Sequence, residues 1–142
     1  MTLIVDDGSN EKVHLSMENL CKTILEIKNI SFAGIIDTMG NLYAGGFKND
    51  YKPKVNDAKR RQMYMRFALE SCFRKDFDDS LGQFSSAVIQ RKNCTIFTLN
   101  VCDHLLIVFT ESPDQNSLLF GEIQKLVFNN EADSLHLHQS KF

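Results

Sequence analysis

The stretch Ser31–Phe47 reads SFAGIIDTMGNLYAGGF. Two apolar runs flank the turn-forming Asp37-Thr38-Met39-Gly40, which predicts a β-hairpin with strands Phe32–Asp37 and Leu42–Phe47. Gly40 supplies the positive φ that a tight turn needs. With the turn at Met39-Gly40, Phe32 faces Phe47 and Gly34 faces Gly45. Four glycines in seventeen residues are more than a turn requires. Glycine inside a strand marks a bulge or a close approach, without naming what approaches. Gly34, Gly45 and Gly46 could floor a ligand pocket, or could let a helix press against the sheet.

Outward from the hairpin, the 142 residues form one ordinary domain. The composition is globular, with 43% hydrophobic and 24% charged residues. A net charge of −2 argues against nucleic acid as the main partner. Cys21, Cys72, Cys94 and Cys102 form no C-x-x-C pair, which removes support for a zinc ribbon or thioredoxin chemistry. They are expected to be free core thiols in a reducing cytoplasm. The N-terminus lacks the basic start and long apolar run of a signal peptide. No apolar stretch reaches the ~20 residues of a membrane span. The expectation is a soluble, cytoplasmic protein.

Before the hairpin, Ser16 is the expected N-cap of a helix that ends at Asn29, with Leu15 stapling onto Leu20. Met17, Leu20, Cys21, Ile24 and Ile27 share one face. After it comes a loop and then a long helix from the cap Asn56 to the terminator Gly82, with a break expected near Asp76. Three strands follow: Phe84–Arg91, Cys94–Val101 and the doubly apolar, central Leu105–Thr110. Ser112-Pro113-Asp114-Gln115 opens a last helix with Leu119, Ile123, Leu126 and Val127 inward. Residues 1–13 and 131–142 are expected to be flexible, around a single domain at 14–130. The predicted fold class is α+β, a five-stranded, mostly antiparallel sheet with helices on its faces, in the order α-β-β-α-β-β-β-α.

That order, with FAGIIDTMGNLYAGGF as its early hairpin, resembles the Roadblock-type domains, relatives of the longin and profilin folds. The similarity runs from about Ser16 to Asn130. YAGGFK, QMYMRFALESCFRKDFDDSLG and VCDHLLIVFT also resemble an uncharacterised family of small archaeal proteins. The Roadblock resemblance implies homodimerisation through the long helix and a platform role for small GTPases or larger assemblies. It implies no catalytic residue.

The long helix carries more apolar surface than one core-facing stripe needs. Met65, Leu69, Cys72 and Phe73 lie on one side, and Met63, Tyr64, Phe67 and Ala68 on another. The dimer or partner interface is expected at Met63, Tyr64 and Phe67, where surplus apolar side chains would invite a partner. The alternative is that these cover the sheet while the other stripe meets a different helix. A basic patch at Lys52, Lys54, Lys59, Arg60 and Arg61 would steer an acidic partner, or be an ordinary solvated face. No phosphate-binding loop accompanies it. Ser112, Cys102 and His104 have no catalytic motif around them, and His136 with His138 is too thin a ligand set for a metal. No catalytic, cofactor or metal site is expected. The leading reading is a non-catalytic, homodimeric regulatory module, and the alternative is a small-molecule sensor with its ligand between sheet and helix.

Overall fold

The computed structural model describes residues 9–111 and 116–139. Its elements run α1 (Ser9–Leu25), β1 (Ile30–Ile36), β2 (Leu42–Phe47), α2 (Asp57–Arg74), a 3-10 turn (Lys75–Phe77), α3 (Asp78–Leu81), β3 (Ser86–Gln90), β4 (Thr95–Val101), β5 (His104–Thr110) and α4 (Asn116–Gln139). The strands make one antiparallel sheet in the order β2-β1-β5-β4-β3. β5 lies in the middle, as its two apolar faces require.

The hairpin has the expected pairing of Phe32 with Phe47 and Gly34 with Gly45. A bulge between Ile35 and Ile36 then shifts the register. β1 starts at Ile30, two residues ahead of the expected Phe32, because Ile30 pairs with Thr110 of β5. All seven residues of β1 are buried, so both of its faces are covered.

Two cores fill those faces. On one, α1 and α4 press Met17, Leu20, Cys21, Ile24, Ile123 and Val127 onto Ala33, Ile35, Phe97, Leu99, Leu106 and Val108. On the other, α2 sets Tyr64, Phe67 and Ala68 against Phe32, Ile36, Ile96, Leu105 and Ile107. The alternation along β1 and β5 assigns successive residues to opposite cores.

Several element ends differ from expectation. α1 begins at Ser9, seven residues before the expected cap Ser16. Ser16 lies inside the helix, where its carbonyl and hydroxyl accept hydrogen bonds from the Asn130 side-chain amide at 3.0 and 2.8 Å. Leu15, expected as a staple, is exposed. α1 stops at Leu25, and Asn29 takes a left-handed φ of 73° before β1. The backbone of 131–139 continues α4 as helix. The expected cap at Ser112-Pro113 lies outside the described residues.

The cysteines are free, but only in part core thiols. Cys21 is buried, Cys94 is half-buried, and Cys72 and Cys102 are exposed. Both exposed positions follow from placement: Cys72 lies on the outer side of α2, and Cys102 at the β4–β5 turn with φ 55°.

Candidate functional site

Three of the four hairpin glycines are close-packed by the chain itself. At Gly34 an added Cβ would meet the Phe32 ring at 2.5 Å. At Gly45, with φ +80°, it would meet the Ala33 carbonyl oxygen at 2.2 Å and the Cys21 sulfur at 2.7 Å. At Gly40, with φ +86°, it would meet the Met65 backbone of α2 at 2.7 Å. So α1 rests on Gly45 and α2 on Gly40. Glu18 secures the first contact by accepting the Gly45 N–H at 3.1 Å. Burial, then the Glu18 carboxylate, pushes the Cys21 thiol up to about 12, which keeps it neutral. Space above Gly34 and Gly45 is thus occupied, while Gly46 has nothing within 4 Å of its Cβ position.

α2 is the element with unmet apolar surface. Asn56 caps it by accepting the Lys59 N–H at 2.9 Å. Arg60 ties the start down. It pairs with Asp57, donates to the Val55 carbonyl and lies over the Phe47 ring at 5.3 Å. The helix then drops one stripe onto the sheet. Tyr64 and Phe67, at 6% and 8% exposed, belong to it, and Met63 is partly buried beside them. The surplus apolar face expected at Met63, Tyr64 and Phe67 is therefore core, because these side chains cover β1, β5 and β4.

The exposed stripe is the other one. Met65, Leu69 and Phe73 are 60%, 55% and 61% exposed, and Phe77 and Leu81 prolong the apolar line past the helix end. With Thr38 and the exposed Met39 of the β1–β2 turn, this stripe lines an open groove of about 640 Å³. A signal for the correct face was present. Lys59, Gln62, Arg66 and Glu70 recur at helical spacing and mark the outward crest, opposite Tyr64, Phe67 and Ala68.

On the far side of that crest runs a second groove, of about 630 Å³, between α2 and the β3–β4 pair. Its walls include Lys59, Met63, Arg66, Phe67, Ile89 and Arg91. The expected basic patch is divided by these contacts. Arg60 is engaged as above and Lys54 pairs with Glu111 at 3.7 Å, while Lys52, Lys59 and Arg61 are exposed.

At the opposite end of α2, Asp37, Ser71, Cys72, Cys102 and His104 line a cleft of about 80 Å³. That is well below the roughly 300–1,000 Å³ of small-molecule sites. The His104 ring packs on Tyr43 at 4.7 Å, and its buried Nδ1 has no hydrogen-bond partner among the described residues. Partial burial, then the Glu131 and Asp103 carboxylates, pushes the Cys102 thiol up, the reverse of what a nucleophile needs. Among the described residues no cluster of His, Cys, Asp and Glu has metal-binding geometry, and no helix is long and apolar enough to cross a membrane.

The fold is that of the Roadblock-type domains. A Roadblock/LC7 domain from Streptomyces avermitilis superposes with a TM-score of 0.59 at 11% identity, over 79% of this chain and 92% of that one. The gliding protein MglB from Thermus thermophilus superposes with 0.62 at 14% identity, over 93% and 97%. Myxococcus xanthus MglB gives 0.61 at 14%, over 97% and 96%. At such identities the likeness speaks for the fold alone. No curated protein matches the sequence. A family model does match, over residues 11–134, and the chain belongs to that family, DUF6659, a family of unknown function.

Proposed function

We propose that this chain is a non-catalytic interaction and regulatory module, homodimeric through α2, whose combined surface docks a partner protein such as a small GTPase or a component of a larger assembly. The observation that carries the reading is the stripe Met65-Leu69-Phe73, more than half exposed beside Met39 on a helix that already buries another stripe. Exposed apolar surface of this kind is stabilised by burial against a partner. In a dimer the two α2 helices lie against each other and the two sheets abut. The Roadblock-type fold supports the reading as a scaffold for such surfaces.

The test is molar mass by light scattering on wild type and Leu69→Asp. The expected result is a dimeric wild type and a folded, monomeric variant. A monomeric wild type across micromolar concentrations overturns the dimer. A dimeric Leu69→Asp moves the interface off α2. Phe67→Asp is unsuited to this test, since a charge there enters the core.

A further inference from the structure

β2 is one edge of the sheet, and the phase of its pairing with β1 names the groups it turns outward. The Lys48 N–H donates to the Ser31 carbonyl at 2.9 Å, so residues 31 and 48 form a hydrogen-bonded pair. Such pairs alternate along an antiparallel ladder. Ala44 and Gly46 therefore bond towards β1, while Gly45 and Phe47 turn their N–H and C=O groups away from it. Tyr43 is the extra residue of the bulge, between the pairs Ile35–Ala44 and Ile36–Leu42. The strand LYAGGF contains no proline or lysine, two of the devices that keep an edge from pairing with another chain.

α1 covers the outward groups instead. His14 and Glu18, one helical turn apart, both reach the edge. His14 donates from Nε2 to the Tyr43 carbonyl at 2.9 Å, with its ring edge-on to the Tyr43 ring at 4.9 Å. Glu18 accepts the Gly45 N–H at 3.1 Å, and its carboxylate lies 3.7 Å from His14 Nε2. One side chain thus donates to an edge carbonyl and the other accepts from an edge amide, the two roles a neighbouring strand would play. Burial does not explain their placement, since both side chains are nearly half exposed while Met17, Leu20, Cys21 and Ile24 carry the core face of α1. The bare Gly45 backbone is what lets the helix come close enough for Glu18 to bond it.

We propose that His14 and Glu18 form an autoinhibitory clamp on β2, which stops a second copy of this chain from pairing with that edge. Two β2 strands meeting antiparallel about a two-fold axis present the same outward groups to each other, so the edge is self-complementary. The Tyr43 C=O and Gly45 N–H needed for that pairing are the groups the clamp occupies. The consequence is for assembly. An open β2 edge is a self-contact separate from α2, and a chain with two separate self-contacts grows into open-ended arrays where a chain with one closes as a dimer. The clamp stands on the contact between α1 and β2, and it acts whether wild type is a monomer or a dimer.

The test joins amide exchange of full-length protein at its lowest working concentration with molar mass by light scattering across a concentration series. Exchange at Gly45 should rise about tenfold in Glu18→Ala, the effect of losing one hydrogen bond to a charged group. His14→Ala combined with Glu18→Ala should form species larger than wild type that grow with concentration, with exchange slowed at residues 43–47 in the larger species. Glu18→Gln keeps an acceptor and drops the charge, and should match wild type in both measurements. The same changes made in Leu69→Asp keep association through α2 out of the comparison, and unchanged β5 protection certifies the fold. A Gly45 amide that exchanges at the wild-type rate in Glu18→Ala overturns the clamp, and this single variant decides the matter even if the double variant unfolds. So does a folded double variant with the wild-type mass at every concentration, or association that leaves residues 43–47 unprotected. A Glu18→Gln variant that associates like the double variant would assign the block to charge repulsion and overturn the hydrogen-bonded clamp.

Discussion

Asp37 closes the hairpin with a single carboxylate. Its Oδ1 accepts the N–H groups of Met39 and Asn41, both at 2.9 Å, and its Oδ2 accepts from the Asn41 side chain at 3.2 Å. Burial acts to raise this carboxyl, but the bonds from Asn41 and Met39 outweigh it and hold the group below its ordinary 3.8. A folded value below the unfolded one means that the ionised form favours the fold. That contribution is complete above the unfolded value and is lost as pH falls through the lowered one. Urea titrations from pH 7 to pH 3 should show this acid-side loss in wild type and less of it in Asp37→Ala, which starts about 1 kcal/mol less stable at pH 7. An equal pH slope in the two proteins would remove the assignment. The turn itself was legible, since Asp-x-x-Gly announces both the acceptor and the positive φ. What lay against Gly40 was not, because Met65 is distant in sequence and near only in the folded chain.

At the scale of the element, α2 turns on which of two apolar stripes faces the sheet. Phe67 sits in the core under Phe32 and Ile107, whereas Leu69 faces outward. Phe67→Ala should therefore lower stability by roughly 3 kcal/mol, read as a shift of the urea midpoint at constant slope. Leu69→Ala should change monomer stability by only about 0.5 kcal/mol. Similar losses at both positions would mean that the phase of the helix is wrong. The sequence carried the helix, its Asn56 cap and a break expected near Asp76, where the 3-10 turn Lys75–Phe77 interrupts the helix, all of which are local properties. Reading the apolar residues alone, it assigned the outward face to Met63, Tyr64 and Phe67, the stripe that is in fact core. The row Lys59-Gln62-Arg66-Glu70 distinguishes the two stripes, since charged side chains hold the face that stays in water. The ends of α1 show the same limit from another side. Ser16 is a good capping residue, yet the helix runs through it, because contacts with α4 at Asn130 reward a longer α1.

For the whole molecule, the sheet order predicts where the fold is most resistant to opening. β5 has neighbours on both sides and helices over both faces, so its amides should exchange only through global unfolding. Ser86, Val88 and Gln90, on the edge strand β3, should exchange orders of magnitude faster in native-state hydrogen exchange. Comparable protection of the two strands in the monomer would contradict this sheet. The sequence by itself determined the hairpin and its pairing from Phe32–Phe47 to Gly34–Gly45, the order of helices and strands, and the central place of β5. Those follow from turn chemistry and from apolar periods of 2 and 3.6, which act between near neighbours in the chain. Tertiary structure alone decided that α1 and α2 rest on Gly45 and Gly40, that Tyr64 and Phe67 are core, and that the exposed apolar stripe of α2 is Met65-Leu69-Phe73. Burial is a relation between elements, and its sign for a given stripe is fixed only when the elements meet.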